Sequence, residues 1–171
     1  MTASPKRRST ATTCVSVGYQ GRSVAALCSE LKAQNVRLLL DVRQAAWSQR
    51  PEFRKQALAA ALAEHGVSYL HLREAGNPFR PAKGEQTSVA ECARIYRRHI
   101  AQLPNVVTQV ADVLRAQTTA VFCFEAEHEC CHRSVLLDEV AKEVRLKVTR
   151  LGAASPRPKR ARDPKGRGSL A

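Results

Sequence analysis

The sequence lacks long apolar runs, nucleotide-binding glycine motifs, internal repeats, and enough acidic residues to match its basic ones. No apolar stretch approaches the roughly 20 residues that a membrane span needs. No apolar segment follows the basic N-terminal residues, as it would in a signal peptide. We therefore expect a cytoplasmic protein without a membrane partner. The patterns G-x-G-x-x-G and G-x-x-x-x-G-K-[ST] are absent, which argues against a nicotinamide-dependent enzyme and a simple ATPase.

Cysteine is too sparse, at 6 of 171 residues, to build a disulfide scaffold. The cytosol that we expect would keep these side chains as thiols. The paired C-x-x-C spacing of a zinc knuckle is also missing. We therefore predict no metal and no other cofactor. Cys14, Cys28 and Cys92 fall on apolar faces of predicted strands or helices, where we expect core residues.

Basic residues outnumber acidic ones by 28 to 15, which gives a formal net charge of +13. Nine of the basic residues and one acidic residue lie in segments 1–8 and 152–171, and the rest of the chain carries only +5. Both ends are rich in Pro, Ser and basic residues, a composition that buries too little apolar surface to offset the entropy of ordering. We predict disordered basic tails at residues 1–11 and 152–171, and a single domain at residues 12–151.

Strand patterns and amphipathic helix patterns alternate between the tails. Ser23 precedes a helix in which Val24, Leu27 and Leu31 recur on one face. The aliphatic run at 38–40 is typical of a strand that is buried on both faces of a parallel sheet. Strands are predicted at residues 14–20, 36–43, 67–72, 118–124 and, at an edge, 145–151. This order predicts an α/β fold, a three-layer sandwich with a mostly parallel sheet of four or five strands and helices on both faces.

Four loops follow the predicted strands. In parallel sheets, ligands bind near the carboxyl ends of the strands. We therefore expect functional residues in the loops at 18–22, 41–54, 72–83 and 125–134.

The loop at 125–134 has the densest group of reactive side chains. Glu125, Cys131, His132 and Arg133 stand just before a helix predicted at residues 134–144. A helix N-terminus and nearby positive charge favour a thiolate, and the same place binds anions. Three functional interpretations remain open: Cys131 as a nucleophile with His132 or Glu125 as its base, an anion site using Arg133, and a metal site. The candidate metal ligands are two to four of Cys123, His128, Cys130, Cys131 and His132. The structural alternative is that the cysteines are buried apolar residues while His132 and Arg133 bond to loop carbonyls.

A second group of polar residues follows the earlier strands. Asp41 and Arg43 end the second strand, and Arg50 lies in the loop beyond them. We expect Arg43 and Arg50 to hold an anion and Asp41 to orient them or act as a general base. Tyr19 and His71, near the ends of the neighbouring strands, are predicted to line the same crevice. The structural alternative is a solvated loop with one Asp–Arg pair.

Several short segments occur in the order of a known family. The specific part is CFE at 123–125 followed by CHR at 131–133; the weaker matches are SVGY (16–19), LLDVR (39–43), RPEF (50–53) and YLHL (69–72). Over residues 14–145 the sequence resembles the bacterial "domain of unknown function 488" family. The resemblance implies a compact α/β domain of bacterial origin, with no established reaction. It also implies that one site is lined by Asp41, Arg43, Glu125, Cys131, His132 and Arg133.

The sequence departs from the pattern of many relatives at two positions. Tyr19 stands where many of them have His, and Cys130 is an extra thiol beside Cys131. Cys123 and Arg133 are too far apart for a rhodanese loop or a Cys-x5-Arg phosphatase loop, so we exclude these activities.

Three hypotheses for the function follow. The first is a domain whose Arg133, Arg43 and Arg50 bind an anionic, phosphate-containing ligand, a nucleotide or a nucleic acid, with a steep dependence on salt. The second is a thiol-dependent enzyme that uses Cys131 on a small molecule. The third is a non-catalytic nucleic-acid interaction module that binds through the basic tails.

Overall fold

The computed structural model describes residues 11–79 and 87–152. The strands in these residues are β1 (Thr12–Gly18), β2 (Leu38–Asp41), β3 (Ser68–His71), β4 (Thr119–Cys123) and β5 (Leu146–Leu151). They form one five-stranded sheet in the spatial order β3-β2-β4-β1-β5. Every neighbouring pair is parallel, and β5 pairs with β1 at one edge. The predicted α/β fold is confirmed, with a sheet that is parallel throughout.

The helices in the described residues are α1 (Val24–Ala33), α2 (Lys55–Ala63), α3 (Val89–Ile100), α4 (Pro104–Ala116) and α5 (His132–Val140). Single 3₁₀ turns occur at Pro51–Phe53 and Arg73–Ala75. Ser23 caps α1 as predicted, because its hydroxyl accepts a hydrogen bond from the Ala26 amide at 3.1 Å. Within residues 11–79 and 87–152, no helix is both long and apolar enough to cross a bilayer.

The helices cover both faces of the sheet. Leu39 packs with apolar residues of α1 and α2 on one face, and Leu40 packs with those of α3, α4 and α5 on the other. Both leucines have no exposed surface. Successive strand residues point to opposite faces, which explains why the aliphatic run in β2 is continuous and not alternating.

The strand connections open a crevice between β2 and β4. These two strands are neighbours, with Asp41 opposite Phe122. The chain leaves β2 for α2 on one face, whereas it leaves β4 for α5 on the opposite face. A crevice between strands whose connections diverge in this way is the usual ligand site of parallel α/β sheets.

Parts of the predicted tails and loops lie outside the described residues. The predicted tails at 1–11 and 152–171 are outside apart from Ala11 and Gly152. Residues 80–86, which include the end of the third strand-end loop, are outside as well.

Candidate functional site

Helix α5 begins closer to the cysteines than the sequence suggests. Its first residue is His132, two positions before the predicted start, and Cys131 is its N-cap with extended φ and ψ of −112° and 146°. Ser134 donates a hydrogen bond from its hydroxyl to the Cys131 carbonyl at 2.9 Å. The Cys131 side chain therefore lies at the positive end of the helix dipole, where a thiolate is stabilised.

Four reactive side chains meet at this helix end. One side-chain atom each from Cys123, Glu125, Cys131 and His132 lies within 4.8 Å of all the others. The Cys123 thiol donates to a Glu125 carboxylate oxygen at 3.3 Å. The His132 Nδ1 lies 3.8 Å from the Cys131 sulfur and 3.9 Å from the Cys123 sulfur. We call these four residues the thiol cluster.

Gly18 allows the loop after β4 to lie against β1. A Cβ atom at this position would stand 1.7 Å from the Glu125 carbonyl oxygen, so only glycine fits. The next two amides, of Tyr19 and Gln20, donate to the carbonyls of Cys123 and Phe124 at 3.2 Å and 2.9 Å. The backbone of the loop that carries Glu125 is thus held by β1.

Arg133 supports the thiol cluster from inside the protein. It has no exposed surface. Its Nε donates to the Cys131 sulfur at 3.3 Å, and its Nη2 donates to the Glu125 carbonyl at 2.6 Å. Its Nη1 has no hydrogen-bond partner within the described part of the chain. The guanidinium places a desolvated positive charge directly behind the Cys131 sulfur.

The pKa values of the two thiols move in opposite directions. Burial opposes ionisation of Cys131, but hydrogen bonds with Cys123 and His132 and the charges of His132 and Arg133 outweigh it, and they hold the Cys131 pKa well below that of an ordinary thiol. The hydrogen bond to Cys131, followed by burial, holds the Cys123 pKa well above the ordinary value. These shifts favour the thiolate form at Cys131 and the neutral thiol at Cys123.

The pKa values of both other members of the cluster are raised. Burial lowers the pKa of His132, but the hydrogen bonds to the Cys131 sulfur and the Val42 carbonyl, with the Cys131 charge, raise it overall. Burial and the negative charge of Cys131 raise the pKa of the Glu125 carboxyl. These shifts favour an imidazolium at His132 beside a thiolate at Cys131, and the raised pKa of Glu125 suits a proton-transfer group.

A cleft of about 710 Å³ opens over the thiol cluster. All four members of the cluster line it, with both cysteines buried and Glu125 and His132 half-buried. Its wall contains exposed apolar side chains, which are Trp47 (59% exposed), Phe79 (48%), Val89 (50%) and Phe124 (37%). The half-buried Cys92 also lines the cleft, so its predicted core position is wrong. The cleft thus combines a reactive floor with an apolar entrance.

Asp41 and Arg43 form a buried ion pair beside the cleft. Arg43 Nη2 donates to an Asp41 oxygen at 2.6 Å, and the Tyr69 hydroxyl donates to the same carboxylate at 2.6 Å. Arg43 Nη1 donates to the Phe53 carbonyl at 2.9 Å, and His71 Nε2 donates to the Arg43 carbonyl at 2.9 Å. Arg43 lines the cleft, but its guanidinium is already bonded within the protein. The pair therefore joins the end of β2 to β3 and to the following loop.

Tyr19 and Arg50 lie on another wall of the cleft. The Tyr19 hydroxyl donates to the Ser48 hydroxyl at 3.1 Å. Arg50 is partly exposed; its Nη1 donates to the Arg22 carbonyl at 2.6 Å and its Nη2 to the Glu52 carboxylate at 2.8 Å. An anion that bound Arg50 would have to compete with Glu52.

The structure brings most of the predicted site residues together. The six that line the cleft are Tyr19, Arg43, Arg50, Glu125, Cys131 and His132. Asp41, His71 and Arg133 stand behind its wall and bond to residues that line it. Cys123, predicted from the sequence only as a candidate metal ligand, also lines the cleft. Its place at the end of β4, two residues before Glu125, is a signal for this wider role.

The thiol cluster offers donor atoms that a metal ion can use. Two sulfurs, an imidazole nitrogen and a carboxylate oxygen match the ligand types of zinc. The nearby Arg133 guanidinium disfavours a dication at the same place, because like charges repel strongly in a buried site. His128, a candidate ligand in the sequence, lies outside this group, with its Nδ1 2.8 Å from the Ser16 hydroxyl.

Comparison with known proteins places this site in a named family. The family model "Domain of unknown function DUF488" matches residues 23–140, which is well over half of the chain. No curated protein and no solved structure matches the chain significantly. The matched segment holds β2, β4, the thiol cluster and Arg133, and it begins after β1 and ends before β5. The chain therefore belongs to the DUF488 family of domains of unknown function.

Proposed function

We propose that this protein is an enzyme that uses the Cys131 thiolate as a nucleophile on a small molecule bound in the cleft. The observation that supports it best is the position of the Cys131 sulfur, at the N-terminus of α5, between His132 Nδ1 and Arg133 Nε, with access to the cleft. A nucleophilic cysteine needs a stabilised thiolate, an adjacent proton-transfer group and space for a substrate. All three requirements meet at this residue.

Each neighbour of Cys131 has a distinct role in this proposal. His132 keeps the sulfur ionised and gives its Nδ1 proton to a leaving group, because its Nε2 proton is held by the Val42 carbonyl. Arg133 is a positioning residue, because it does not line the cleft and acts through the Cys131 sulfur and the Glu125 backbone. Glu125 lines the cleft and is available for proton transfer to or from the bound molecule.

Alkylation kinetics test the proposal. The full chain with Cys130→Ser, which removes the exposed neighbouring thiol, is treated with iodoacetamide over a range of pH, and peptide mass spectrometry follows Cys131. We expect the alkylation rate of Cys131 to rise with pH and to have its inflection below ~8.5, the pKa of a free thiol. His132→Gln should move the inflection up, whereas His65→Gln, at an exposed position, should leave it unchanged.

Two outcomes would contradict the proposal. In the first, native Cys131 fails to react, or reacts with an inflection at or above that of a free thiol. In the second, the purified protein contains one equivalent of zinc and Cys131 reacts only after chelation, which would make the thiol cluster a metal centre.

The arginines support a second candidate, the binding of an anionic ligand in the cleft. The supporting observation is the partly exposed Arg50 guanidinium on the cleft wall. Inorganic phosphate at low salt should then slow the alkylation of Cys131, and Arg50→Gln should remove this protection. If phosphate gives no protection at any ionic strength, this candidate fails and the nucleophile stands alone.

A further inference from the structure

Two cysteines, and not one, stand at the buried end of the cleft. The sulfurs of Cys123 and Cys131 belong to one group of atoms within 4.8 Å of each other, and both side chains line the cleft. A nucleophile that only attacks carbonyl or phosphoryl groups has no use for a second thiol in this place. A thiol that is oxidised by its substrate does, since a neighbouring thiol converts the sulfenic acid into a disulfide.

We propose that Cys131 and Cys123 act as the attacking and resolving thiols in the reduction of a small organic hydroperoxide. This inference rests on the proposed function, because it requires Cys131 to be the nucleophile. It adds a substrate class and a role for Cys123.

The first step oxidises Cys131. Its thiolate attacks the terminal oxygen of ROOH, the S–O bond forms and the O–O bond breaks. The leaving alkoxide takes the Nδ1 proton of His132 and departs as ROH. Cys131 is now a sulfenic acid and His132 is neutral, so sulfur has lost two electrons and the peroxide has gained them.

The second step uses the neighbouring thiol. Cys123 gives its proton to Glu125, the carboxylate to which it already donates at 3.3 Å. The Cys123 sulfur attacks the Cys131 sulfur, so that the S–S bond forms and the S–O bond breaks, and the departing hydroxide takes the proton from Glu125 and leaves as water. The sum is two thiols and ROOH giving a disulfide, ROH and water. An external dithiol reductant restores both thiols by exchange.

The entrance of the cleft indicates an organic substrate. Within the described residues, four of the five large hydrophobic side chains that are exposed also line this cleft, and they are Trp47, Phe79, Val89 and Phe124. An apolar group R gains free energy when it leaves water for such a surface. The narrow –OOH end can reach the Cys131 sulfur, which is only slightly exposed at the floor of the cleft.

The test measures hydroperoxide consumption by the full chain carrying Cys130→Ser, with dithiothreitol as the reductant. We expect cumene hydroperoxide to be consumed catalytically, with kcat/KM at least about tenfold higher than for hydrogen peroxide. Without reductant, one equivalent should lower the intact mass by two hydrogen atoms, and peptide mapping should find a Cys123–Cys131 disulfide. Cys28→Ala, in the core on the opposite face of the sheet, should leave turnover unchanged.

Substitution of each thiol separates the two steps. Cys131→Ser should abolish consumption. Without dithiothreitol, which would itself reduce a sulfenic acid, Cys123→Ser should consume one equivalent and keep a sulfenic acid on Cys131 that dimedone traps, where the unsubstituted pair forms the disulfide. The inference is overturned if the wild type consumes no more cumene hydroperoxide than Cys131→Ser, if the disulfide joins other residues, or if hydrogen peroxide is the equal or better substrate. If Cys131 still alkylates with a low inflection in those cases, the inference fails and the proposed function survives; if Cys131 is inert, both fail.

Discussion

His132 and Val42 are joined by a hydrogen bond of 2.9 Å between the imidazole Nε2 and the main-chain carbonyl oxygen. The contact crosses the crevice between β2 and β4, because Val42 directly follows β2 and His132 is the first residue of α5. A carbonyl oxygen only accepts, so Nε2 carries the proton. The other nitrogen, Nδ1, is thereby turned towards the two sulfurs, and the Tyr96 ring packs against the imidazole with the two ring centroids 5.0 Å apart.

The first prediction concerns the protonation of this imidazole. Nitrogen NMR of the full chain should find the Nε2-protonated tautomer in the neutral form and an imidazolium that persists above pH ~6.5, because the Cys131 thiolate raises the His132 pKa. The stability that the His132 imidazolium contributes is fully present below the pKa of this histidine in the unfolded chain. It is lost as pH rises through the higher pKa that His132 has in the folded protein. Cys131→Ser should lower the His132 pKa, and an Nδ1-protonated tautomer would contradict the contact with Val42.

The second prediction concerns the buried guanidinium. Arg133→Met should leave the Glu125 carbonyl without its donor and should remove the charge behind the Cys131 sulfur. Loss of a buried donor costs about 1–3 kcal/mol, measurable by urea unfolding, and the inflection for Cys131 alkylation should move up.

The matched control for this change is Arg97→Met, which breaks exposed ion pairs to Asp138 and Glu139. It should change stability much less and leave the inflection where it was. Equal effects of the two substitutions would show that Arg133 does not act on the thiolate.

The third prediction concerns Gly18. Ala at this position would drive a Cβ atom into the Glu125 carbonyl, 1.7 Å away, and the backbone would have to shift. Overpacking of this kind costs about 1–3 kcal/mol, and the displaced loop should slow alkylation of Cys131. Gly152→Ala meets no atom within 4 Å and should be neutral. Wild-type stability in Gly18→Ala would mean that the loop does not lie against β1.

The fourth prediction concerns Asp41. Asp41→Asn should leave the buried Arg43 guanidinium without its counter-charge, at a cost of about 3–5 kcal/mol in urea unfolding. The double substitution Asp41→Asn with Arg43→Met removes the unpaired charge and should recover part of the loss. Glu52→Gln, which breaks the exposed pair with Arg50, serves as the control and should have little effect. No recovery in the double variant would show that repulsion of an unpaired charge is not the cause.

Local sequence patterns were sufficient to predict most of the strands and helices. Alternation of strand and helix periodicity predicted the parallel α/β fold, and the Ser23 cap followed from the residues next to it. The start of α5 was placed two residues too late. The error arose because the N-cap of α5 is Cys131, whose side chain makes no capping hydrogen bond. A Ser, Thr or Asp at this position would have indicated the helix start in the sequence.

The sequence by itself determined which reactive side chains stand together. Cys131, His132 and Glu125 stand in one short segment between β4 and α5, and any fold that ends a parallel strand there exposes them at the ligand-binding edge.

Only the tertiary structure decided how these groups are arranged and what surrounds them. The Val42 carbonyl that selects the tautomer of His132 directly follows β2, ninety positions earlier in the chain, and the Arg133 charge, one of the causes that lower the Cys131 pKa, belongs to a side chain with no exposed surface. Sequence periodicity indicates which face of a helix or strand is buried. It does not give the distances between side chains of that element and those of segments far away in the chain. Hydrogen bonds and burial depend on those distances, and they shift the pKa values of Cys131 and Cys123 in opposite directions.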